Sequence, residues 1–93
     1  MGWLEIIELR SSEISSEKME DNLRKLVKDF SRNNKELEIK AYNRIDVGTD
    51  SSIHILSRSK KSVSTASEIG EKLKTILKEY GYVSHRVWSE LDD

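Results

Sequence analysis

Two histidines, one early carboxylate and a short basic run are where this 93-residue chain could do chemistry. His54 lies on the third expected strand and Glu5 on the first. If both face the same side of a sheet, they form a His–carboxylate pair, which is the minimal acid–base dyad and equally a satisfied polar contact at an interface. His85 shares parity with Val83 and Val87, which points it toward the helices. There a histidine could bind a ligand or pass it a proton, or simply bond to backbone. Arg58-Ser59-Lys60-Lys61-Ser62 leads into an expected helix start. Basic side chains beside free helix N–H groups suit a phosphate or carboxylate, although the same run also reads as a solvated loop. The catalytic candidates are therefore His85, His54 and Glu5, and the ligand-binding candidates are His85, Arg58, Lys60 and Lys61.

What the chain lacks narrows the chemistry further. It has no cysteine, which removes disulfides, thiolate nucleophiles, zinc fingers and iron–sulfur ligation. Two histidines on opposite sheet faces with no third ligand nearby in sequence argue against a metal site. No nucleophile elbow, Walker loop or dinucleotide fingerprint occurs, so no cofactor is expected. Sixteen basic and seventeen acidic side chains are spread along the chain for a net charge of −1. That is not the clustered basic footprint of a nucleic-acid binder. Nothing approaches the ~20 apolar residues of a membrane span, and the first residues lack the basic and apolar regions of a signal peptide. The expectation is a cytoplasmic, bacterial-type protein with no membrane or nucleic-acid partner.

The elements that would carry these residues follow from periodicity. Residues 3–10 read as a strand apolar on both parities, with Leu4 and Ile6 on one face and Trp3, Ile7 and Leu9 on the other. A helix from a Ser15 cap to about Ser31 carries Met19, Leu23, Leu26, Val27 and Phe30 on one stripe. Residues 36–44 alternate cleanly, with Leu37, Ile39 and Ala41 inward, as a half-exposed edge strand does. A turn over 46–50 leads to a third strand over 52–58. Thr65 and Glu68 read as a capping box opening a second helix, with Gly70 on its buried stripe where helix and sheet approach closely. Gly81 stops that helix, and 82–91 form a fourth strand.

Two right-handed strand–helix–strand units point to a single α+β domain over 1–93. The ferredoxin-like β-α-β-β-α-β fold results, a four-stranded antiparallel sheet in order 4-1-3-2 with both helices on one face. The first strand is then central and the second lies at an edge, as their patterns ask. A burial argument from Glu5 sets the expected orientation of the first strand. Facing the helices, Glu5 would be buried without an obvious partner, at a cost of several kcal/mol. That assigns Trp3, Glu5, Ile7 and Leu9 to the open face, together with His54, Leu56, Tyr42, Arg86, Trp88 and Glu90. Such an apolar surface is larger than a monomer leaves wet, so Trp3, Ile7, Leu9, Leu56 and Trp88 are expected at a symmetric homodimer interface.

In length and element order the chain resembles the dimeric α+β barrel superfamily, which includes the antibiotic-biosynthesis-monooxygenase-like proteins. Trp3-Leu4-Glu5-Ile6-Ile7 and Ser84-His85-Arg86-Val87-Trp88 carry the resemblance, which spans the whole chain. It implies two ferredoxin-like sheets back to back and a cavity between helices and sheet. The Asn, Trp and His set of the haem-degrading members has no counterpart here, so the resemblance implies architecture and no catalytic residue. The expected function is a homodimeric module holding a small ligand in that cavity. A cofactor-independent monooxygenase or isomerase with His85 as polar centre is the alternative. A protein-interaction module using the open face is a third.

Overall fold

The computed structural model is described for residues 2–11, 16–46, 49–58 and 67–91. Strand β1 (Trp3–Ser11) is followed by α1 (Ser16–Asn33), β2 (Leu37–Asn43), β3 (Asp50–Ser57), α2 (Glu68–Leu77) and β4 (Gly81–Ser89). On α1, Met19 and Leu23 are buried, and Leu26, Val27 and Phe30 pack against the core on the same stripe. The helix ends where Asn33 and Asn34 turn their amide side chains back to the carbonyls of Asp29 and Phe30, at 3.2 and 2.9 Å. Those bonds satisfy acceptors that the last turn leaves open. On α2, Leu73 and Leu77 are the buried anchors, with Ile69 and Tyr80 beside them.

The strands form one antiparallel sheet in the order β2-β3-β1-β4, the expected ferredoxin-like topology read from the other edge. Its α1 contacts lie mainly on β2, and its α2 contacts on β1 and β4. Both helices cover the face that carries Ile7, Leu9, Ile39, Ile53 and Ile55, and these residues with Met19, Leu23, Leu73 and Leu77 make the core. Central β1 and β3 supply most of the fully buried sheet residues, and the edge strands supply few. That division is the one the doubly apolar and cleanly alternating sequence patterns require.

The orientation of β1 is the reverse of the sequence expectation. Its burial alternates so that Trp3, Glu5, Ile7, Leu9 and Ser11 point at the helices, leaving Leu4, Ile6, Glu8 and Arg10 on the open face. Trp3 is only 8% exposed, and Ile7 and Leu9 are core residues, so none of the three belongs to the open face. Glu5 does enter the core, but with partners. β3 keeps the expected arrangement, with Ile53 and Ile55 inside and His54 and Leu56 outside. The second helix also starts later than expected, at Glu68 with Ser67 as its cap. Ser15, Thr65 and the run from Ser59 to Ser62 lie outside the described residues.

Candidate functional site

Two polar centres lie on opposite faces of the sheet, one sealed and one open. The sealed centre is built by three elements. Glu5 on β1 is 0% exposed. The Ser67 backbone N–H donates to its Oε1 at 2.9 Å, and the Ser67 hydroxyl donates to its Oε2. His85 on β4 reaches the same Oε1 from Nε2 at 2.9 Å, and its side chain is 4% exposed. Ser67 Oγ in turn accepts the Gly70 N–H at 2.9 Å, as an N-cap does.

This arrangement explains why a charge can be buried here. The carboxylate takes three donors and sits at the positive end of a helix, which offsets its desolvation. Gly70 makes the approach possible, because a Cβ at that position would lie 2.2 Å from Glu5 Oε1 and 3.0 Å from His85 Nε2. The first turn of α2 therefore closes directly over the pair. In a hydrolytic triad the serine hydroxyl bonds to the histidine, whereas here both bond to the carboxylate. Chemically the cluster ties the N-terminus of α2 to two strands.

The open centre is read from cross-strand register, which stacks the outward side chains of β4, β1, β3 and β2 in rows. Trp88, Leu4, Leu56 and Glu38 form the first row, and Arg86, Ile6, His54 and Lys40 the second. Ser84, Glu8, Ser52 and Tyr42 form the third, and Tyr82, Arg10 and Asp50 the fourth. The face thus grades from an apolar end to a polar end. An open groove of about 690 Å3 occupies the polar end, floored by Ile6, Glu8, Ser52 and His54 between Tyr42 and Tyr82.

Charges in this groove are largely paired with one another. Arg86 Nη1 donates to Glu8 Oε1 at 3.1 Å, and Arg10 Nε lies 3.4 Å from Asp50 Oδ1. Arg44 spans the β2–β3 turn, bonding Asp46 at 2.8 Å and Asp50 at 3.2 Å, and holds the Asp46 carboxyl below its usual range. His54 bonds Ser52 Oγ through Nε2 at 3.2 Å, and its ring meets the Tyr42 ring at a centroid distance of 4.5 Å. Its pKa is lowered, chiefly by burial against these neighbours, with Glu8 acting in the opposite direction.

No family model, curated protein or solved structure matches the chain. The site is therefore judged on its geometry. Glu5 and His54, expected to share a face, are on opposite faces, and the carboxylate that acts on His54 is Glu8. His85 points inward as expected and meets Glu5 there. Arg58 follows β3, exposed, with Nη2 3.7 Å from a Glu38 oxygen. Lys60 and Lys61 lie outside the described residues. Leu56 and Trp88 are on the open face, Trp88 at 54% exposure.

Among the described residues, no group of three or more His, Cys, Asp or Glu side chains is placed to hold a metal ion. None of their helices is long and apolar enough to cross a membrane. Ser67, Ser52 and Glu8 were absent from the sequence-derived candidates. Ser67 had a local signal, a hydroxyl residue just before an acidic first turn. Ser52 had one too, since it stands two residues before His54 on the same strand, whereas Glu8 had none, because only register brings it to His54.

Proposed function

We propose that the protein is a homodimeric module in which two copies meet through the open sheet face, as in the dimeric α+β barrel superfamily. The observation that carries this reading is the contiguous Trp88–Leu4–Leu56 row, continued by Ile6, on the face without helices. The rest of that face favours a second copy over a charged partner, because Glu8–Arg86 and Arg10–Asp50 already neutralise each other. Two copies can thus meet without opposing large like-signed fields. Four strands at ~4.8 Å spacing and nine residues at ~3.3 Å give a face on the order of 500 Å2, so a pair buries on the order of 1,000 Å2. That is the lower bound of a specific interface, suited to a reversible dimer.

Any small ligand belongs in this reading to the groove around His54, which a second copy would roof over. On the helix side, His85 is bonded to Glu5 beneath the first turn of α2, so this reading gives it a structural role. The test is mass measurement in solution, by native mass spectrometry and light scattering, with Trp88→Arg and Leu56→Arg alongside. A dimeric wild type and monomeric, natively folded variants are expected. A wild type that stays monomeric at high concentration would overturn the reading and leave the face to a different protein.

A further inference from the structure

Should two copies meet through this face, His54 passes from the solvent-facing side of the sheet into the space enclosed between them. It stands on central β3, in the second row, between Ile6 on β1 and Lys40 on β2. Its ring is already half-buried between Tyr42 and its own strand neighbours. We propose that His54 makes the dimer acid-sensitive, its protonation driving the two copies apart; this rests on the dimer reading above.

The reason is desolvation of a charge at the interface. A neutral imidazole is covered at little cost, whereas an imidazolium must shed water to be covered. Every neighbouring strand contributes to its surroundings. From β1, Ile6 is apolar and Glu8 favours the cation, but Arg86 on β4 already engages Glu8 at 3.1 Å. From β2, Lys40 is the register partner of His54 and supplies no negative charge, Tyr42 covers one side, and Glu38 one row away lies 3.7 Å from Arg58. On β3 itself, Ser52 accepts or donates one hydrogen bond and Leu56 supplies apolar surface. The surroundings thus favour the neutral ring, and burial lowers its pKa even in the single copy. A covering copy desolvates it further, so the linkage sign is definite. Protons bind the separated copies more tightly than the dimer, and association weakens as the pH falls through the lowered pKa of His54 in the single copy, below the ordinary histidine range.

The test is the dimer dissociation constant of the full chain by analytical ultracentrifugation, across about pH 7.5 to about pH 5.5. Wild type is compared with His54→Gln and His54→Thr, and circular dichroism verifies the fold at each pH. Two imidazoles per dimer set a ceiling of roughly a hundredfold per pH unit, and a weakening that steepens toward the acid end of the range is expected. Both variants should dimerise with a nearly flat profile. A wild-type dimer with a flat profile, one that tightens in acid, or variants that keep the wild-type slope would each overturn the role of His54 while leaving the dimer intact. A wild type monomeric at every pH would instead remove the dimer on which the inference stands.

Discussion

Glu5 shows at the scale of one residue how partners decide whether a charge may be buried. An unpaired carboxylate in the core costs several kcal/mol, which is the rule that assigns Glu5 to the open face from sequence. In the structure it accepts from Ser67 twice and from His85 once, and the cost is largely offset. Such a cluster is a poor source of net stability and a large liability when half of it is removed. Glu5→Leu should therefore destabilise by about 3–5 kcal/mol, leaving the Ser67 N–H and His85 without an acceptor. The double variant Glu5→Leu/His85→Leu should recover a substantial part of that loss. Denaturant unfolding of both singles and the double measures the coupling, and simple additivity would refute the shared-cluster account.

Among the elements, α2 is the one whose placement depends on a single missing side chain. Its first turn rests on the Glu5–His85 pair because Gly70 presents no Cβ to them. Gly70→Ala raises helix propensity by up to about 1 kcal/mol, so on an isolated helix it would stabilise. Here the added methyl would lie 2.2 Å from a carboxylate oxygen held by two donors, so something must move. The overpacking cost of about 1–3 kcal/mol should outweigh the propensity gain. Thermal unfolding should show a net fall in Tm of several degrees. Hydrogen exchange should show faster opening of the first turn of α2, while β2 and β3 keep their protection. A rise in Tm would mean that the pair can give way and that α2 is not seated on it.

For the molecule as a whole, the two tryptophans separate folding from association. Trp3 packs in the helix-covered core and Trp88 lies exposed on the opposite face. Trp3→Arg places an unpaired charge in the core and should leave the chain unfolded or insoluble, since the cost approaches the 5–15 kcal/mol of a whole domain. Trp88→Arg should give well-folded protein with a native circular dichroism spectrum. Refolding yield and melting temperature of the two variants measured side by side check this contrast. Equal tolerance of both substitutions would mean that the faces of β1 are assigned wrongly.

What the sequence by itself determined is the order of the elements, the sheet topology and the inner faces of β2, β3 and both helices. Those follow from local alternation, the helical stripes and the few right-handed ways to connect two strand–helix–strand units. It also placed His54 and Leu56 outward, since Ile53 and Ile55 leave β3 no other arrangement. The orientation of β1 was not legible, because a strand apolar on both parities fits either way and rests on a single charged residue. Glu5's partners stand 62 and 80 residues further along the chain, and only the packed sheet and the start of α2 bring them together. Tertiary structure alone therefore decided which tryptophan is core, which histidine meets a carboxylate, and that Glu8 and Tyr42 flank His54. Local pattern reports how much of a side chain must be covered, and the folded neighbours decide whether the covering is favourable.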